Sequence, residues 1–289
     1  MTNDQWPISN GEASPERAFT YRPRNGPHLV IGHWELVIAT PAIPGGTGVN
    51  SLRLVQARVV ACRKCPRLVA HRERVAREKV RRYRDEEYWG KPIPSFGDPQ
   101  GRLLIVGLAP AAHGGNRTGR IFTGDRSGDF LYAALNRAGF ANQPWSRHRG
   151  DGLALRDCYI TAAVRCAPPD NKPTPEELAT CQSYLVEEIH LLRRARVVVA
   201  LGRIAFEAFL KAWVRAGRPV PTPRPRFAHG AVAELPGGIR LLASYHPSQQ
   251  NTQTGRLTAP MFHRIFARAR QILTGLTPNQ TRPETRRKG

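Results

Sequence analysis

The chain has 289 residues, 40% of them hydrophobic, and carries 44 Lys and Arg against 22 Asp and Glu, a formal net charge of +22. That composition supports one core-forming domain of about 200 residues, and so large a positive excess calls for a polyanionic partner rather than an ordinary solvated surface. No apolar run approaches the roughly 20 residues that span a bilayer, no basic segment has the aromatic face of an interfacial helix, and the opening MTNDQWPISNGEASPER lacks a signal-like apolar core, which leaves nucleic acid in a reducing cytoplasm as the expected setting.

Residues 1–50 are rich in Pro, Gly, Asn and Thr without a sustained period and read as a flexible extension. A helical pattern starts at Ser51, and between Arg63 and Arg84 ten Lys or Arg stand against Glu73 and Glu78 alone. This basic face begins at the Cys62-Arg-Lys-Cys65 pair. The segment through Tyr88, Trp89, Pro92 and Pro94 leads to Leu103–Val106, an apolar run with the length of a buried strand. After it comes a loop dense in glycines and donors, then a helix from about Ser127 whose N-terminus favours an anionic group.

The second strand is expected over Cys158–Val164. Thr174, Pro175 and Glu177 spell a capping box with proline in the first turn, so a helix starts there and carries Cys181. A third strand, Arg196–Leu201, is followed by a helix from Gly202 to about Val214. Ala228–Leu235 and Ile239–Tyr245 flank Pro236-Gly237-Gly238 as a hairpin or two strands. The final helix spans Thr258 to about Leu273, and a polar, basic tail runs from 275 to 289. Alternating strands and helices imply a three-layer α/β/α sandwich with a mainly parallel sheet. On such a sheet the loops after Val106, Val164 and Tyr245 open at one edge, where α/β proteins bind ligands.

Five cysteines in a reducing compartment are poor disulfide candidates. Cys62 and Cys65 are separated by two residues, Cys166 and Cys181 by fourteen, and four thiolates suit either an iron–sulfur cluster or zinc. Cys158, inside an apolar strand, reads as a small buried hydrophobe.

The motifs GLAPAAHGGNRTGRIFTGD, VRCAPPDNKPTPEE and HPSQQNTQTGRLT, in this order and together with the four cysteines, resemble the family-five uracil-DNA glycosylases of bacteria and archaea. The resemblance covers about residues 51–274. It implies a four-stranded, mainly parallel sheet, a [4Fe–4S] cluster on Cys62, Cys65, Cys166 and Cys181, and hydrolysis of uracil, and of other deaminated bases such as hypoxanthine, from DNA. The implied enzyme is monomeric, cytoplasmic and nucleoid-associated.

A base inside a duplex is out of reach, so the nucleotide must be flipped into a pocket. The first loop suits that pocket, with Phe122 for stacking and backbone N–H groups around Ala111, Ala112, His113 and Gly114 for the base carbonyls. His246, set by Pro247 at the end of the last strand, is the donor expected to stabilise the departing base, whether neutral or protonated. Asp125 is the carboxylate at hand to position a water against the sugar, although it also suits the N-cap of the following helix. Related glycosylases carry Asp or Asn in the first motif, where this chain reads GLAPAA, and often an Asn in the second, where it has Ala162. The missing amide relaxes discrimination between bases.

For DNA contacts the sequence offers Asn116, Arg117 and Arg120 in the first loop, the basic helix from Arg72 to Arg84, and Ser248, Gln249, Gln250, Asn251, Gly255 and Arg256 in the last. The residue filling the gap left by the flipped nucleotide is open among Gln249, Gln250 and Asn251, with Leu257 the one apolar neighbour. No lysine is placed as a Schiff-base nucleophile, so strand cleavage is not expected.

Overall fold

Strand formation follows from apolar runs too short for helices. Leu103–Gly107 (β2), Cys158–Ala162 (β3) and Val197–Leu201 (β4) are buried at every position, as strands covered on both faces must be. The computed structural model describes residues 48–275. The expected extension over 1–50 and tail over 275–289 lie almost wholly outside these residues.

Two helices, α1 (Gly48–Val60) and α2 (Pro66–Glu78), precede a short strand β1 (Phe96–Gly97) and β2. After β2 come a single helical turn α3 (Gly115–Thr118), helix α4 (Arg126–Arg137), β3, α5 (Pro175–Leu191), β4 and α6 (Arg203–Arg215). The chain closes with the hairpin β5 (Val232–Leu235) and β6 (Ile239–Ser244), the short helix α7 (Gln249–Gln253) and α8 (Ala259–Leu273).

The sheet order is β1-β3-β2-β4-β6-β5. The four inner strands are parallel, while β1 and β5 add antiparallel edges. The sheet is therefore six-stranded, not four-stranded. The two-residue β1 has no period to read, and β5 is half-exposed because it covers an edge rather than a face.

Alternate residues of each inner strand serve opposite layers, as the pleat requires. Leu103, Ile105, Val197 and Val199 pack with α4 and α8. Leu104, Val106, Val198 and Ala200 pack with α5 and α6. The capping box of α5 forms in full: the Thr174 hydroxyl accepts from the Glu177 N–H and the Glu177 carboxylate from the Thr174 N–H. Thr258 caps α8 with a single bond, its hydroxyl accepting from the Met261 N–H at 3.4 Å. Among the described residues no helix is long and apolar enough to cross a membrane.

Below one end of the sheet lies a buried polar network that no local pattern announces. Arg165 and Glu188 form an ion pair with both side chains almost wholly buried. Glu188 also accepts from Ser95 and Thr161 at 2.6 Å and from Gln56 at 2.9 Å, joining α1, the segment before β1, β3 and α5. Its members are far apart in sequence.

Candidate active site and cysteine cluster

Because β2, β3, β4 and β6 are parallel, their C-terminal ends meet at one edge. There Gly107 at the end of β2 lies beside Ala162 at the end of β3. A Cβ on Gly107 would sit 2.9 Å from the Phe122 ring, so the glycine lets the aromatic lie across the strand end. Phe122 holds a left-handed φ of 51°, a strained conformation for an aromatic residue. Gly128 permits it: a Cβ there would fall 1.9 Å from the Phe122 carbonyl oxygen. The ring is buried and stands 6.0 Å, centroid to centroid, from that of His246.

Asp125 follows three residues later and caps α4, its Oδ1 accepting from the Gly128 N–H at 2.9 Å. Its other oxygen presses on Gly114, where a Cβ would come within 1.9 Å of Oδ2. Burial pushes the Asp125 carboxyl above its ordinary range, partly offset by the Gly128 hydrogen bond. A carboxylate with raised proton affinity facing a cleft is suited to take a proton from water.

His246, two residues past β6, lines a neighbouring cavity with Leu108, Gly202 and Tyr245. Burial lowers its pKa to about 4, and no carboxylate counteracts it, so the imidazole is neutral at physiological pH. A neutral ring still donates one N–H. The backbone carbonyl of His246 accepts from Asn251 Nδ2 at 2.9 Å, and the Ser248 hydroxyl caps α7. Ser248 and Asn251 thus shape the loop, whereas Gln249, Gln250, Gly255 and Arg256 are exposed. Arg256 lies over the Tyr245 ring at 4.7 Å, and Tyr245 stacks on His229 at 4.9 Å. Nothing local in the sequence marks His229 as part of this wall. Leu257 is fully buried and unavailable as a wedge.

The first loop corrects the sequence expectation for its donors. Asn116, Arg117 and Arg120 are buried, not offered to DNA. Arg117 donates to the carbonyls of His113 (2.8 Å) and Gly124 (2.9 Å), pairs with Glu86, and covers the Tyr83 ring, pinning both ends of the loop together. Arg120 pairs with the buried Asp151 at 2.6 Å and donates to Thr123 and Ser146. Asn116 donates to the carbonyl of Arg72 at 3.1 Å. From outside, the N–H groups of Trp89 and Gly90 bond the carbonyls of Arg117 and Asn116, strapping the loop in place. Ala111, Ala112 and His113 are partly exposed on its rim, His113 Nδ1 lying 3.1 Å from the Tyr88 hydroxyl, and Ala162 is buried.

The four paired cysteines come together in one small apolar cluster with Val55, Val59, Leu68 and Tyr184, while Cys158 is fully buried in the core on another face of the molecule. Burial pushes the Cys166 thiol up to about 12 and that of Cys181 up to about 11, so as free thiols both stay protonated. Arg72, expected to contact DNA from the basic helix, is instead buried here, donating to Cys166 Sγ at 3.5 Å and to the Cys62 carbonyl at 3.4 Å. Its Nε has no partner. Among the described residues no group of three or more His, Cys, Asp or Glu side chains is arranged to hold a metal ion.

Residues 94–270 match the family model of the uracil DNA glycosylase superfamily. A type-5 uracil-DNA glycosylase of Thermus thermophilus is 55% identical over 214 residues, covering 74% of this chain and 94% of its own length. The type-5 uracil-DNA glycosylase of Mycobacterium bovis is 53% identical over 226 residues, 78% of this chain and 83% of that protein. This chain belongs to the type-5 uracil-DNA glycosylases. A type-5 uracil-DNA glycosylase of Pyrobaculum aerophilum is 48% identical over 212 residues, 73% of this chain and 89% of its own. Type-4 uracil-DNA glycosylases are more distant, that of Thermotoga maritima being 29% identical over 198 residues. In this chain the loop carrying Phe122 and Asp125 and the strand end carrying His246 lie at one edge of the sheet.

Proposed function

We propose that the protein excises uracil from DNA by hydrolysing its N-glycosidic bond, on nucleotides flipped out of the duplex, and that its loosely discriminating pocket also takes other deaminated bases such as hypoxanthine. The observation that supports the mechanism is that Phe122, whose ring stands 6.0 Å from that of the neutral His246, shares one tightly packed loop with Asp125, a carboxyl whose proton affinity burial raises. Asp125 takes a proton from the water that attacks C1′ of the sugar. The C1′–N bond breaks with its electron pair going to the base, and the N–H of neutral His246 stabilises the negative charge arriving on the base oxygen. Ala162 at the end of β3 brings only a methyl group to the base edge, which fits a broad substrate range.

The four cysteines suit a [4Fe–4S] cluster. A buried guanidinium beside Cys166, with one N–H unanswered, supplies the counter-charge that a dianionic thiolate cluster needs and that neutral thiols do not use. When bound, such a cluster supplies cross-linking, joining the start of α2 to the turn after β3 and to α5, with no part in hydrolysis. Without strand cleavage the product is an abasic site.

Base release is measured on duplexes holding U·G, U·A, hypoxanthine·T or a normal pair, with alkali revealing abasic sites. Release at uracil and hypoxanthine, lost in His246→Ala by about 10²–10³-fold as for removal of one oxyanion donor, is the expected result. Release of neither base, or full rate in His246→Ala, overturns the assignment. A colourless protein containing zinc after anaerobic purification would overturn the cluster.

A further inference from the structure

The cleft of about 830 Å³ beside Asp125 is larger than one catalytic carboxylate requires. Its far side is the loop over residues 142–152, which the mechanism does not use. There Trp145 is 38% exposed and is the one aromatic among the large side chains left open to solvent in the described residues. The Arg147 guanidinium lies over its ring at 5.1 Å. Arg82 and Arg126 also line the cleft. Among the described residues none of these three arginines forms an ion pair. The carboxylates facing them are Glu86, taken by Arg117, the exposed Asp129, and Asp125 itself.

This platform is rigid. Between Trp145 and Arg147 the chain turns inward at Ser146, which is fully buried and bonds Thr123 at 2.7 Å and Arg120 at 2.8 Å. Asp151 receives the N–H groups of Arg147 (2.7 Å) and Leu153 (3.1 Å) as well as the Arg120 guanidinium. The Gly124 N–H, next to Asp125, bonds the Ser146 carbonyl at 2.9 Å. An exposed aromatic face and unpaired cations are thereby held at a set distance from the catalytic carboxylate.

We propose that this cleft binds the nucleotide adjoining the flipped one, with its base stacked on Trp145 and its phosphate on Arg126 and Arg147. Stacking on an aromatic side chain and backbone capture by arginine is the chemistry of single-stranded DNA recognition. A base still paired in the duplex cannot offer its face to Trp145. The site therefore favours lesions whose neighbours are unpaired, in bubbles or single strands. The position of the lesion relative to the cleft rests on the reading of Asp125 as the water-activating group.

The test compares KM for uracil in a fully paired duplex and in a three-nucleotide bubble. Wild type is expected to have the lower KM on the bubble, and Trp145→Ala to raise that value about tenfold, in line with the loss of one stacked base, with less than a twofold change on the duplex. Trp145→Phe, which keeps a stacking face, restores the preference. Equal effects on both substrates, or none on the bubble, overturn the proposal. A second readout uses Asp125→Asn protein and 2-aminopurine placed on either side of an uncleaved uracil. Binding should quench one position, and adding Trp145→Ala should abolish the quench; quenching unchanged by the second substitution overturns the proposal. Full base release by Asp125→Asn would instead overturn the role of Asp125, leaving the 2-aminopurine result to stand by itself.

Discussion

The loops after β2 and after β6 open on the same sheet edge, yet they use polar residues in opposite ways. In the first, Asn116, Arg117 and Arg120 turn inward and bond the loop to itself and to its neighbours. In the second, Ser248 and Asn251 fix the turn while Gln249, Gln250 and Arg256 face solvent. An arginine in a glycine-rich motif is therefore no guide to a phosphate contact. The first loop is built to hold Phe122 in a strained conformation and Asp125 tightly packed against Gly114, and the second to present side chains outward.

The largest effect that would sharpen this contrast comes from Asp125→Asn. Asparagine caps a helix as well as aspartate does, so the melting temperature should hold while base release falls by about 10²–10⁴-fold, the usual contribution of a general base. The pH profile gives the sign. His246, with a pKa of about 4, stays neutral across the neutral range, and burial raises the Asp125 carboxyl, so activity should be lost on the acidic side, where the carboxylate takes up a proton. In kcat profiles Asp125→Asn should change the shape of that acid limb; an unchanged limb would remove Asp125 from it.

Gly114→Ala comes next. The new methyl would fall 1.9 Å from Asp125 Oδ2, and displacing a reacting group by about 1 Å costs on the order of 10²-fold. A normal kcat in that variant would mean that the carboxylate has freedom the packing denies it.

Arg120→Ala tests whether the first loop is structural. It leaves Asp151 charged and buried, which destabilises by about 3–5 kcal/mol. Although burial alone would raise the Asp151 pKa, Arg120 and the backbone N–H groups hold it down to about 2. Its stabilising contribution is thus present above the ordinary aspartate range and lost as pH falls toward 2. Thermal melts of wild type and variant should converge at the acidic end; a variant with unchanged stability and weakened DNA binding would return Arg120 to the interface.

The smallest effect belongs to Arg256→Gln. With one phosphate contact gone, the slope of log affinity against log salt should drop by about 0.9, with kcat little changed. An unchanged slope would place the DNA elsewhere on this face.

The strands, the capping box of α5 and the order of the loops were all legible in the sequence. They depend on contacts within a few residues: the Thr174 and Glu177 pairing closes over three positions, and Val197–Leu201 is apolar throughout because both its faces are covered. Family membership was legible too, through three motifs in fixed order, and so was the gathering of Cys62, Cys65, Cys166 and Cys181 in one cluster. The fates of the arginines were not. Arg72 and Arg120 look alike in a window of sequence, and what separates them from Arg256 is a partner 94 or 31 residues away, Cys166 for one and Asp151 for the other.

By itself, then, the sequence determined the α/β/α layering, the edge at which the motif loops meet and the family to which the chain belongs, because periodicity, caps and motif residues act locally. Tertiary structure alone decided which cations are buried as struts, which stay exposed, the neutrality of His246 and the rigid setting of Trp145. Each of those depends on burial and on partners brought together by folding, and a charge takes its role from the dielectric and the counter-charges around it.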